Sequence, residues 1–138
     1  MLWFHDFRRN QRGQAVVEMA LVLPILLMLI FGIVEFGRIL NTYMIVTNLS
    51  REGAREGAVG GTDTEIVNAV ESGTNADQFD TASMGIAIDP PATLSGRPRG
   101  SAVKVTVSYP VDIIAPIIGP IIGDPFVVTS QTTMRVEG

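Results

Sequence analysis

The stretch "RRNQRGQAVVEMALVLPILLMLIFGIVEFG", residues 8–37, decides how this chain folds. Within it, Ala15 to Val34 is a run of 20 residues in which Glu18 is the only charge. At about 1.5 Å of rise per residue the run makes a helix of roughly 30 Å, the thickness of a bilayer's hydrocarbon core. Burying such a helix inside a soluble protein takes apolar partners on every side, and the remainder of a 138-residue chain is too short to supply them. A transmembrane helix over 14–35 is therefore expected. Arg8, Arg9 and Arg12 precede it, while the flank beyond is mixed, with Glu35 and Arg38. That bias puts the N-terminus in the cytoplasm and everything after the span outside. A removable secretory signal would have a shorter apolar region followed by a small-x-small site, but here Phe31-Gly32-Ile33-Val34-Glu35 follows.

Composition removes several function classes. The absence of cysteine excludes a disulfide framework, a thiol nucleophile and thiolate metal ligation. The single histidine, His5, lies ahead of the span, so the outer part has no Ser-His-Asp or His-metal chemistry. From Gly61 onward four bases face nine acids, a poor surface for nucleic acid. Asp77 and Asp80 fall in a polar stretch and read as solvated carboxylates rather than a calcium site. Gly57 to Gly61 lacks the spacing and the preceding strand of a nucleotide-binding loop. No enzyme activity, cofactor or metal is expected.

Helical signals continue past the span. Phe36, Ile39, Leu40, Tyr43, Val46 and Thr47 recur at three- and four-residue spacing, with Arg38, Asn41, Asn48, Arg51, Glu52, Arg55 and Glu56 mostly on other faces. Gly53, Gly57 and Gly60-Gly61 should weaken and then end the helix, which is expected from about Gln14 to Ala58. Thr62-Asp63-Thr64-Glu65 has capping-box spacing and opens a short helix to about Ser72, with Ile66, Val67 and Val70 as its apolar face. A polar loop is expected over 75–81. Strands follow at Met84–Ile88, at Val103–Tyr109 with clean period-two alternation, and at Phe126–Val136. Arg97-Pro98-Arg99-Gly100 reads as a turn or loop. The fold class is thus a membrane-anchored α+β protein. Its long N-terminal transmembrane helix continues into a small extracytoplasmic domain with a short helix and an antiparallel sheet of about three strands. The segments are a basic leader (1–13), the transmembrane helix (14–35), the extracytoplasmic half of the same helix (36–60) and the small domain (61–138). One stretch resists assignment. Ile113 to Gly123 is strongly apolar but broken by Pro116 and Pro120, and reads either as a loop folded over the core or as an exposed loop touching the membrane or a partner subunit.

Glu18 raises the question of cost. A carboxylate at the centre of a span costs roughly 2.5–3.5 kcal/mol, and charges inside membranes are usually functional, the alternative being that Glu18 lies near the cytoplasmic edge and is hydrated through the headgroups. If the chain were cut between Gly13 and Gln14, the new α-amine would stand one helical turn from Glu18, in the same chain or a neighbouring one. Opposite charges about 4 Å apart, at an effective dielectric near 20, attract by about 4 kcal/mol, close to the cost of burial. Pro24 removes a backbone hydrogen bond in mid-span, as a tolerated kink or as a flexible point used in assembly. Glu35 and Arg38, three apart, read as a solvated pair marking the outer interface.

A short basic leader ending in glycine, glutamate at the fifth position after it, and a long apolar helix together resemble the class III signal of type IV pilin-like proteins. More closely, Arg12-Gly13-Gln14-Ala15-Val16-Val17-Glu18-Met19-Ala20-Leu21-Val22-Leu23-Pro24, then Phe31-Gly32-Ile33-Val34-Glu35-Phe36-Gly37-Arg38 and Ala54-Arg55-Glu56-Gly57-Ala58, resemble the TadE-like family, the minor pilins or pseudopilins of the tight-adherence (Flp) pilus. The resemblance implies cleavage by a prepilin peptidase at Gly13/Gln14, a role for Glu18 in processing or assembly, and a helix kink at Pro24. It also implies a single pass through a bacterial inner membrane, with other pilin or pseudopilin subunits and membrane lipid as partners and action in pilus assembly, adhesion or secretion. The alternative is an unprocessed single-span anchor displaying a small extracytoplasmic binding domain. A scaffold that recruits a secretion motor is a third reading.

Overall fold

The computed structural model describes residues 11–74, 79–92, 96–115 and 119–137, with the side chains of residues 11 and 12 left aside. Most of the basic leader, with His5, Arg8 and Arg9, lies outside these residues, as do Asp77 and residues 116–118 of the apolar stretch.

Helix α1 runs from Gln11 to Ala58, 48 residues and about 72 Å at the usual rise. It starts three residues earlier than the sequence pattern suggests and passes through Pro24 without interruption. Between Gly13 and Val34 no side chain is buried. Helix α2 spans Asp63–Ser72 and opens with the expected capping box: Thr62 Oγ1 accepts from the Glu65 amide, and the Glu65 carboxylate accepts from the Thr62 amide at 2.8 Å. A single 3₁₀ turn, Thr81–Ser83, leads into strand β1 (Gly85–Asp89). Strand β2 covers Ala102–Val111. A four-residue helix α3, Gly119–Ile122, precedes strand β3 (Phe126–Arg135).

The strands form one antiparallel sheet in the order β1-β2-β3. Alternation fixes the register. Val103, Val105 and Val107 of β2 are fully buried, with Met134, Thr132 and Ser130 of β3 opposite them. Val107 and Val105 lie opposite Ile86 and Ile88 of β1. Pro110 is tolerated in this central strand because it lies two positions beyond Ser108, the last residue paired with β1. The buried face of the sheet packs on the second half of α1 and on Ile66 and Val70 of α2. A three-stranded sheet is too small to hold itself together, and this helix layer completes its core.

The face of α1 that docks coincides with the expected stripe only in part, at Val46 and Ile39. Phe36, Leu40 and Tyr43 are exposed, and the buried positions are Glu35, Thr42, Val46, Leu49, Ser50, Gly53, Ala54 and Gly57. The two glycines do not loosen the helix; they let it approach its partners. A Cβ at Gly53 would stand 2.6 Å from Val70 Cγ2 and 3.1 Å from Val105 Cγ1, and one at Gly57 would stand 3.0 Å from both Ile66 Cδ1 and Val103 Cγ2. Ser50 lies wholly inside, its hydroxyl bonded to the Thr47 carbonyl at 2.9 Å and paired with Thr132 Oγ1 at 2.8 Å.

Two further positions correct the sequence reading. Phe79, in the stretch expected to be a polar loop, is buried against Tyr109 with ring centroids 4.5 Å apart. Arg97, expected in an ordinary turn, is a buried tie: it donates to Gly61 O at 2.8 Å and Pro90 O at 3.3 Å and is ion-paired with Asp63, which also accepts from the Ala92 amide.

Candidate functional site: the exposed helix and its junction with the domain

The residues singled out for processing and assembly lie on the exposed part of α1. Gly13 and Gln14 occupy its first turn, where the leading amide groups have no intrahelical carbonyl to bond. The Gln14 side-chain amide donates to Glu18 Oε1 at 3.0 Å, the i,i+4 approach expected from spacing. Thus the structure brings Gln14 and Glu18 together on one exposed face. Pro24 stands a turn and a half further on, and its missing amide leaves the Ala20 carbonyl without its regular donor.

The apolar face then ends at a group that sequence reasoning undervalued. Glu35 is the first buried side chain along α1, only 3% exposed. Its Oε1 accepts two backbone amides, Ile114 N at 2.7 Å and Ala115 N at 3.1 Å, and its Oε2 accepts from Arg38 at 3.0 Å. Arg38 also donates to the Asp112 carbonyl at 3.2 Å. The expected Glu35–Arg38 pair is present but is not a solvated surface pair. It clasps the chain leaving β2 to the helix, and Asp124 Oδ1 accepts the Ile113 amide at 3.1 Å beside it. The stretch from Ile113 divides accordingly: Ile113 and Ala115 are buried, while Ile114, Ile121 and Ile122 are exposed. On the β3 side an open apolar groove of about 400 Å³ is lined by Phe36, Ile39, Leu40, Tyr43, Phe126 and Val127, among others.

Residues 13–55 match the family model of TadE-like proteins. The long helix of this chain is TadE-like. The match covers roughly a third of the chain, from the glycine before the apolar run to the glycine-containing face that packs on the sheet. The matched helix is long and apolar enough to cross a membrane once. Neither the curated proteins nor the solved structures contain a match to the chain.

Within the TadE-like segment, sequence spacing located Gly13, Gln14, Glu18 and Pro24, but not the task of Glu35. Its amide partners lie 79 and 80 residues away, so no local pattern announces them. The one available signal was a carboxylate and an arginine embedded between apolar runs.

Proposed function

We propose that the protein is a minor pilin or pseudopilin of a tight-adherence pilus, anchored in the bacterial inner membrane by α1 with its small domain outside. A prepilin peptidase cuts it between Gly13 and Gln14, and it assembles with other pilin-like subunits through the exposed half of α1. The TadE-like match over residues 13–55 carries this reading, because it begins at the glycine that precedes an apolar helix with no buried side chain up to Val34. Cutting there unwinds only the first turn of α1, whose end has few hydrogen bonds to lose. The freed amine of Gln14, whose side-chain amide already donates to Glu18, then lies one helical turn from that carboxylate, in the same chain or a neighbour, and balances a charge that lipid would otherwise penalise. The work of the protein is assembly, without catalysis, cofactor or nucleic acid.

The test is the intact mass of the protein recovered from membranes of cells with and without a prepilin peptidase. A peptidase-dependent loss of residues 1–13 is expected. An uncut chain in both strains refutes processing and leaves the unprocessed anchor. Glu18→Ala should still enter the membrane but fail to assemble, and normal piliation of that variant would sink the charge-partner role.

A further inference from the structure

We propose that the outer domain stands on the bilayer: an apolar rim around the foot of the domain, built from Phe36 of α1, Ile114 after β2, Ile121 and Ile122 of α3 and Val127 of β3, inserts among the lipids of the outer leaflet. The proposal rests on α1 spanning the membrane.

The rim is defined by height along α1. Exposed apolar side chains cover the helix without a break in burial until Val34, and the first buried residue is Glu35. The domain therefore begins where the lipid-facing run ends. Glu35 holds the Ile114 and Ala115 amides at its own level. Helix α3 is tied to that level by the Gly119 amide on Ala115 O and by Asp124 on the Ile113 amide. The start of β3 lies against Phe36 to Tyr43, within about 10 Å of the same height. Four separate segments thus present exposed apolar residues within one narrow band of height: Phe36 at 67%, Ile114 at 68%, Ile121 at 72% and Val127 at 56% exposure. A groove for one peptide or helix would draw such residues along a single line. A common level at the end of a lipid-facing run is what a bilayer surface requires. The neighbouring charges agree on the kind of contact. Asp112 and Asp124 are exposed at this level and would repel anionic headgroups, so attachment rests on apolar insertion. Glu35 then has a definite purpose: by accepting two amides it fixes the backbone of the apolar loop at the depth where its isoleucines meet lipid.

The absence of cysteine makes the test direct. Single-cysteine variants Val22→Cys, Ile121→Cys and Thr64→Cys of the full chain, labelled with an environment-sensitive fluorophore, are placed in phosphatidylethanolamine/phosphatidylglycerol vesicles carrying nitroxide lipids. The Val22 label, quenched by nitroxides deep in the acyl chains, checks the span itself. The Ile121 label should be quenched by shallow nitroxides at least about threefold more than the Thr64 label, as for groups roughly 5–10 Å into the headgroup boundary. The difference should persist in high salt, and Glu35→Ala in the Ile121→Cys chain should abolish most of it. An Ile121 label as unquenched as Thr64, with Val22 quenched, overturns the rim while sparing the span. An unquenched Val22 overturns both. Cross-linking of Ile121→Cys between copies while its label stays unquenched assigns the rim to a second subunit and also refutes the proposal.

Discussion

Gly53→Ala separates two physical effects that the same glycine brings together. In an open helix the substitution stabilises by about 1 kcal/mol, because alanine gives up less backbone entropy. At position 53 the new methyl would sit 2.6 Å from Val70 Cγ2 and 3.1 Å from Val105 Cγ1, both fully buried and both β-branched. Neither valine has a free rotamer to retreat into, so α1 must move off α2 and the sheet. Overpacking of this kind costs about 1–3 kcal/mol, and the shortness of the Val70 contact argues for the upper end. The net prediction is a loss of about 1–2 kcal/mol, which lowers the midpoint by about 4–8 °C for each kcal/mol in a domain of this size. Thermal unfolding of the full chain in detergent, followed by the near-ultraviolet signal of Tyr109 against Phe79, measures it. Gly37→Ala provides the control, since nothing lies within 4 Å of its Cβ position, and it should be neutral or stabilising. Val70→Ala in the Gly53→Ala background removes the clashing methyl, so the two losses should be less than additive. If Gly53→Ala is as stabilising as Gly37→Ala, the close approach of α1 to its partners is wrong.

Other outcomes follow from the remaining contacts. Glu35→Ala strands the Ile114 and Ala115 amides, at roughly 1–3 kcal/mol for a buried group left unpaired. Glu35→Gln keeps an acceptor oxygen for both amides and should cost less, an order that amide hydrogen exchange at residues 114 and 115 will read. The Thr62 amide and hydroxyl hold the Glu65 carboxyl below its ordinary pKa. The capping box is therefore fully effective above the ordinary glutamate value of about 4.3 and is lost as pH falls through the lowered one. A carbon-detected titration should show the Glu65 midpoint rising only part of the way in Thr62→Ala, because the backbone amide at position 62, the larger cause, still donates. Arg97→Leu removes the donor to Gly61 and Pro90 and the partner of Asp63, which is partly exposed and regains water. A loss of about 1–3 kcal/mol is expected by urea unfolding, and an unchanged midpoint would mean that the tie contributes nothing.

Most of the architecture was legible because its signals are local. A 20-residue apolar run, a capping box and a strict period-two alternation over Val103–Tyr109 each report on a single element. What escaped depends on distant partners. Gly53 and Gly57 carry the same letter whether they end a helix or let a sheet come close, and only Val70, Val103 and Val105 decide between the two. The docking face was displaced for the same reason. Of the expected stripe, Val46 is buried and Ile39 packs on the core, whereas Phe36, Leu40 and Tyr43 are exposed and Leu49, Ser50, Gly53, Ala54 and Gly57 complete the contact. Phe79 was lost in a polar stretch, and Arg97 passed for a turn residue because its acceptors at Gly61 and Pro90 are contributed by other loops. Of the candidate site, Gly13, Gln14, Glu18 and Pro24 were expected from the sequence and lie on the exposed part of α1; Glu35 was seen, but its burial was not.

The pairing of Ser50 with Thr132 joins residues 82 apart in the chain. Helix α1 is made well before β3, the strand that pairs with β2 and packs on the helix. Until β3 has emerged, Ser50 lacks its Thr132 partner and one edge of β2 is unpaired, although α2 and β2 already cover Gly53 and Gly57. A chain released even ten residues short would present an unpaired β2 edge and an open core at once, the combination from which aggregation starts. Strand β3 is therefore the keystone of the domain, and a truncation within Phe126–Arg135 removes the domain rather than shortening it.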